Sequence, residues 1–255
     1  MILNPDRIET REKLILAGIY LSKYGALGLK KLGFRTYAEA YNVVGYALGS
    51  RPTSIKNYRD EFDPIFPNSR KGWHKRETRE YCKKVLDEYG GLDLESFTGL
   101  IKSFVGYDEN IWSTVESKED EQKVRSSGFA NRLITGLAAE RYFESVHSTL
   151  PEFKGCVIEN TTQLGCGYDF KLSREKSKDS LAVEVKGLRE KVGNVLLTPR
   201  EYEVATELQN RFCLFVVKNF QKVPYHELFL NPIAGNLQFT RTERVIVQVS
   251  WLTRV

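Results

Sequence analysis

Residues 211–218, RFCLFVVK, place six consecutive apolar side chains between two cations. A run this short and this continuous reads as a strand buried on both faces. The elements ahead of it have equally definite signals. Thr198-Pro199-Arg200-Glu201 starts a helix, with Thr198 as N-cap, Pro199 at the first helical position and Glu201 closing a capping box. Upstream, CVIEN, YDFKLS and LAVEVKG are strand candidates, and NVLLT is a fourth short apolar piece. Residues 129–149 space their apolar side chains as one long amphipathic helix that stops ahead of Pro151. HELFL, NLQFT and RVIVQVSW read as later strands. The order helix, three strands, helix, strand predicts an α/β (α+β) core over residues 129–255.

The first hundred residues read as helices. Residues 8–22 form an amphipathic helix, and TYAEAYNVVGYALG a second, from Thr36 as N-cap to Gly49 as terminator. In SRPTSIKNYRDEF, Ser50 or Thr53 caps a third helix, with Ile55, Tyr58 and Phe62 facing inward and Ser54, Lys56, Asn57 and Arg59 outward. Two short helices around a Gly-containing turn match the helix-turn-helix pattern, whose second helix enters the major groove. Further helices cover 76–89, ended by Gly90-Gly91, and 93–104. Residues 1–106 are thus expected to be a mostly helical, DNA-binding domain. A polar, charged linker over 107–128 joins it to the second part.

Charge supports a nucleic-acid partner for the first part. The chain carries a net +5, and residues 51–84 hold ten basic against five acidic side chains, an excess equal to that of the whole chain. Arg51, Lys56, Asn57 and Arg59 are the candidate base or phosphate contacts, Arg and Asn being the types that read guanine and adenine edges. Arg70, Lys71, Lys75 and Arg76 are candidate phosphate contacts, with Trp73 as an aromatic anchor inside their run. The four cysteines lack C-x-x-C spacing and the three histidines supply no ligand pairs, so reduced, mostly buried thiols are expected rather than zinc. No apolar run approaches the roughly 20 residues of a membrane span. MILNPDRIETREK lacks a signal-peptide apolar block, so a cytoplasmic location and no membrane partner are expected.

The chemistry lies in GCGYDFKLSREKSKDSLAVEVKGLRE, residues 165–190. In an extended chain Leu181, Val183 and Val185 share one face, and Ala182, Glu184 and Lys186 the other. Gly187 leaves room for something to approach. If the two strands pair as a hairpin around SREKSKDS, Asp169 and Glu184 face one cleft. Hard carboxylate oxygens of this kind bind Mg²⁺ together with waters and substrate phosphate. Lys186, beside them, is placed to hold an attacking water or to stabilise charge on a phosphoryl oxygen.

With these motifs in this order, the chain resembles the PD-(D/E)xK nuclease superfamily. Within it, residues 125–255 are most similar to restriction-endonuclease-like domains related to the C-terminal part of the plant protein NO VEIN. GLAAERYF, GCGYDF, VEVKG and LTPREYEVA…FCLFVV carry the likeness. The resemblance implies an αβββαβ core that hydrolyses phosphodiesters with Mg²⁺, Asp169 and Glu184 being the metal carboxylates and Lys186 the catalytic lysine. Some members add a glutamate from the first helix, here Glu140, with Glu144 one turn on as its competitor. Tyr168 stands where the family name has proline. Glu159 and Gln163 are weaker candidates. YALGSRPTSIKNYRDEFDPIFPNSRKGWHKR resembles segments that precede such domains in restriction enzymes. The reading is a type II restriction endonuclease of a bacterial or archaeal cell, acting as a homodimer on double-stranded DNA. The alternatives are a modification-dependent, nicking or repair nuclease, or a DNA-binding regulator on a nuclease-like scaffold.

Overall fold

Five strands form one mixed sheet in the order β1-β2-β3-β4-β5: Val157–Asn160, Phe170–Ser173, Ser180–Gly187, Phe212–Lys218 and Tyr225–Leu230. The computed structural model describes residues 7–105, 128, 130–131, 133–134, 136–174, 180–235 and 237–243. All neighbouring strands are antiparallel except β3 and β4, which are parallel. A parallel pair needs a crossover, and the capped helix supplies it. Every residue of β4 from Phe212 to Val217 is buried, as its apolar run predicts.

Seven α-helices are bounded within the described residues. Five precede the sheet: α1 (Thr10–Lys31), α2 (Tyr37–Ala47), α3 (Pro52–Phe62), α4 (Glu80–Tyr89) and α5 (Leu94–Ser103). Then come α6 (Leu137–Val146), ahead of β1, and α7 (Pro199–Leu208), between β3 and β4. The expected order of helix, three strands, helix, strand is therefore present. Thr36 caps α2 by accepting a hydrogen bond from Glu39 N at 3.1 Å. Thr198, Pro199 and Glu201 form the capping box that opens α7.

Other expectations need correction. The helix expected over 129–149 is interrupted at Gly136, whose backbone (φ −122°, ψ −113°) is non-helical. Gly128, Ala130, Asn131, Leu133 and Ile134 are helical before that break, and α6 begins after it. Neither Ser50 nor Thr53 caps α3; Arg51 is the N-cap, because Pro52 occupies the first helical position. The helix expected from residue 76 starts at Glu80. NVLLT runs into the Thr198 cap without pairing, its Leu196 73% exposed, and Leu237–Thr240 of NLQFT likewise form no strand. RVIVQVSW, and the linker over 107–128 apart from Gly128, lie outside the described residues.

One core connects the helical part to the sheet. Leu16, Ile19 and Phe62 from the first helices belong to the same buried cluster as Phe143 of α6, Phe170 of β2 and Phe215 of β4. Phe143 is the hinge of this packing, with ring centroids 4.9 Å from both Phe170 and Phe215. Burying each such ring stabilises by roughly 1.5–3 kcal/mol. The other sheet face packs Ala182, Leu214 and Val216 against Val204 and Ala205 of α7. All four cysteines are free, Cys82 and Cys213 being buried. Among the described residues no helix is long and apolar enough to cross a membrane.

Candidate active site

Asp169 immediately precedes β2, and its carboxylate turns back on the sheet. Its backbone N–H donates to Val183 O at 3.0 Å, while its Oδ2 accepts from Val185 N at 2.9 Å. These two bonds fix Asp169 beside β3, where Glu184 and Lys186 alternate with the apolar Val183 and Val185. Glu184 is 3% exposed. Lys186 Nζ lies 2.6 Å from Glu184 Oε1 and 2.8 Å from Glu201 Oε2. The sequence-predicted triad is thus gathered on adjacent strands.

Glu201 is a member that the sequence reading missed. Its Oε2 accepts from Thr198 N at 3.0 Å and also from Lys186 Nζ at 2.8 Å. The capping box was visible in the sequence. That the cap faces the β3 lysine follows only from how α7 crosses back over the sheet.

Burial governs the protonation of the cluster. Removal from water pushes the Glu184 carboxyl up to about 9, the Asp169 charge adding to it and Lys186 opposing. Burial likewise raises Asp169, against the Val185 N–H bond that lowers it. Glu140, on the first turn of α6, is pushed up to about 7 by burial, then by Asp169 and Glu144. Burial draws Lys186 down, but Glu184 and Glu201 outweigh it and hold the ammonium above its ordinary value. Asp169 and Glu144 both act on Glu140, and Glu144 also accepts from Arg141 at 2.7 Å. Of the two α6 candidates, Glu140 is the one whose protonation is coupled to Asp169 and Lys186.

Two carboxyl groups meet the Lys186 ammonium and two more are coupled to them, and the resulting crowding favours their protonated forms, a cost that a cation would relieve. Among the described residues no three His, Cys, Asp or Glu side chains come close enough to hold an ion by themselves. The donor set fits a hard cation held by one or two carboxylates, the rest of its shell being water and substrate oxygen, as Mg²⁺ prefers. A cavity of about 190 Å³ adjoins the cluster, lined by Asp169, Glu201, Thr162, Thr198, Arg200 and Tyr168 among others. Glu159 lies outside the cluster, exposed and 3.6 Å from Lys171, and Gln163 is exposed on its turn.

Gly187 answers what the β3 glycine leaves room for. A Cβ there would lie 1.7 Å from the carbonyl oxygen of Ile134 and 3.2 Å from Ala139 Cβ. The approaching group is the protein's own backbone, the segment that leads into α6 and carries Glu140 to Asp169.

The candidate DNA contacts divide. Arg51, Asn57, Lys71, Lys75 and Arg76 are exposed, and Lys56 is half-exposed while paired with Asp60 at 2.8 Å. Arg59 is only 3% exposed and is removed from the candidates. Its guanidinium stacks 3.5 Å from the Tyr37 ring centroid, donates to Tyr41 Oη at 2.8 Å and pairs with Asp63 at 3.7 Å. Arg70 is held by Asp60 and Asp63. Three of the segment's five acids, Asp60, Glu61 and Asp63, are buried, so part of its basic excess neutralises them internally.

The family described as Protein NO VEIN, C-terminal, matches residues 139–230. The match runs from α6 through β5 and contains Glu140, Asp169, Glu184, Lys186 and Glu201. No curated protein and no solved structure matches the chain.

Proposed function

We propose that the chain is a Mg²⁺-dependent DNA endonuclease of the PD-(D/E)xK kind, and specifically a type II restriction endonuclease. The observation that carries the reading is the partly buried grouping of Asp169, at the entry to β2, with Glu184 and Lys186 of β3, to which Glu140 of α6 is electrostatically coupled. The match to the NO VEIN C-terminal family over this same segment supports a nuclease-like domain.

Asp169 and Glu184 would hold the metal, which supplies charge neutralisation at the phosphate and a more acidic bound water. Lys186, kept charged by its two carboxylate neighbours, acts as a hydrogen-bond donor and electrostatic stabiliser rather than as a base. Glu140, with its carboxyl near 7, is the group suited to exchanging a proton at neutral pH. The exposed Arg51, Lys56 and Asn57 of α3 and the loop cations Lys71, Lys75 and Arg76 supply contacts to duplex DNA. A homodimer with twofold symmetry presents one such site to each strand.

The test is incubation of the purified protein with unmethylated and methylated plasmid, in Mg²⁺ and in EDTA, resolved on a gel. Discrete Mg²⁺-dependent fragments are expected, with Asp169→Ala abolishing cutting while leaving DNA binding. Binding without cutting on both DNAs would refute the nuclease reading and favour a regulator.

A further inference from the structure

Between α3 and α4 the chain makes a long excursion that the proposed chemistry does not use, and it is pinned at both ends. Trp73 N donates to Asp60 O at 2.7 Å, and Arg79 N to Glu61 Oε1 at 2.8 Å. Arg70 is tied to Asp60 and Asp63. Gly72 has φ 49°, and a Cβ on it would lie 2.2 Å from Asp60 O, so the turn sits directly on the end of α3. The loop is therefore shaped before any ligand arrives, which lowers the ordering cost of binding.

What it presents is a concavity of about 270 Å³ formed by Gly72, Trp73, His74, Lys75 and Arg76. The Arg76 guanidinium carbon lies over the indole, 3.5 Å from the ring centroid, so a base stacking on that face takes the place of Arg76 and leaves it to a phosphate. Residues 70–76, RKGWHKR, contain four basic side chains and no acid. Lys71, Lys75 and Arg76 are exposed, and Arg70 connects the loop through Asp60 to Lys56 on α3. A small anion would use the cations but not the indole. A protein partner would match the apolar ring but not the exposed cations Lys71, Lys75 and Arg76. A flat ring between phosphates satisfies both.

We propose that the Trp73 loop is a stacking site for one unpaired or extruded base of the DNA strand whose phosphates Lys71, Lys75 and Arg76 hold. The inference rests on DNA being the substrate, and it adds that recognition involves a base taken out of the duplex. Inside an intact duplex both faces of a base are already stacked, so the indole can engage only a base that is unpaired, extruded or terminal.

The experiment measures binding in EDTA, so that it does not depend on cleavage. Three DNAs are compared by fluorescence anisotropy: an intact duplex, the same duplex with one unpaired 2-aminopurine, and a single strand. Wild-type protein is expected to prefer the second and third and to quench the 2-aminopurine. Trp73→Ala should lose roughly 5- to 150-fold on these two and change little on the intact duplex. Trp73→Phe, which keeps an aromatic face, should retain most of the preference and guards against misfolding. Lys75→Ala should weaken all three DNAs alike and lower the salt slope by about 1. Equal affinity of Trp73→Ala and wild type for the unpaired-base DNA, or binding without quenching, would overturn the proposal. A protein that stacks the base yet never cuts would refute the nuclease reading alone.

Discussion

Replacing Gly187 by alanine tests the geometry that assembles the candidate site. The added Cβ would sit 1.7 Å from Ile134 O and 2.7 Å from Ile134 C, where real contacts do not fall below 3.0 Å, so the gap must open by about 1.3 Å. Neither side can yield cheaply. β3 is held by β2 on one edge and β4 on the other, with Leu188 N donating to Val217 O at 2.7 Å just beyond the glycine. The opposing atoms are backbone, not the tip of a side chain. Overpacking of this kind costs about 1–3 kcal/mol, and a shift of this size between two fixed backbones belongs at the upper end. For a chain of this length the melting temperature should fall by roughly 6–12 °C. Function should suffer more, because the displaced elements carry Glu140 on one side and Lys186 on the other. A misplacement of about 1 Å near the chemistry costs on the order of 100-fold in rate. The assay pairs circular-dichroism melting with single-turnover duplex cleavage well below the variant's midpoint. A variant that melts within about 2 °C of wild type and cuts at the same rate would show that the backbone contact at Gly187 does not set the site.

Glu201→Gln keeps a residue able to close the capping box, so melting should hardly change. Cleavage should nevertheless drop roughly 10- to 100-fold, since Lys186 loses a charged hydrogen-bond partner; unchanged single-turnover rates would refute that role. In EDTA, stability should fall as pH rises. Glu184 is raised from 4.5 to about 9 and Glu140 to about 7, so stability present below 4.5 is lost as pH climbs through those values. Urea unfolding from pH 5 to 9 checks this: Glu184→Gln should flatten the upper part, and a flat wild-type profile would contradict the burial argument. At pH 8, saturating Mg²⁺ should raise the wild-type midpoint and leave an Asp169→Ala, Glu184→Gln double variant unmoved in a thermal-shift titration. Arg59→Ala should cost about 1–3 kcal/mol by leaving the buried Tyr41 hydroxyl without its guanidinium donor, Asp63 keeping Ser22 and Arg70, read by urea unfolding, whereas Lys75→Ala should leave the unfolding midpoint in place.

Much of the C-terminal half was legible because its signals are local. An apolar run, a capping box and strict alternation each specify one element through its own residues, and β4, α7 and β3 follow them. The Asp169–Glu184–Lys186 grouping was legible because two consecutive strands of a hairpin have few ways to pair. Glu201's contact with Lys186 was not, since it depends on the crossing of α7 over the sheet, a long-range consequence of the parallel β3–β4 pair. The basic segment misled for a related reason. Composition counts charges without their partners, and Asp60, Glu61 and Asp63 turn out to be buried receivers of Arg59, Arg70 and Arg79. NVLLT shows the limit of short apolar runs: its residues are strand-like, but β3 is already paired on both edges.

The sequence suggested a reading part and a cutting part, and the contacts show how the two are held in one frame. Three residues beyond Lys186, Arg189 Nε meets Glu39 Oε1 at 2.6 Å, and its guanidinium donates to Gly33 O at 3.1 Å. Glu39 is fully buried on the first turn of α2 and also accepts from Arg35 N at 2.7 Å. The turn that follows β4 is gripped in parallel: Asn42 Nδ2 donates to Phe220 O and Lys222 O, both at 2.8 Å, and Thr36 Oγ1 to Gln221 O at 3.1 Å. A buried ion pair is a poor device for stability, because apolar residues of the same volume would serve as well. Its directional demand is what distinguishes it: Glu39 and Arg189 are compensated only when α2 sits in one position on the ends of β3 and β4. α3, with its exposed Arg51, Lys56 and Asn57, follows α2 after a four-residue turn and is therefore fixed relative to the strand that carries Lys186. Whatever α3 contacts is thereby placed at a set distance and angle from the candidate site, without a flexible tether between them.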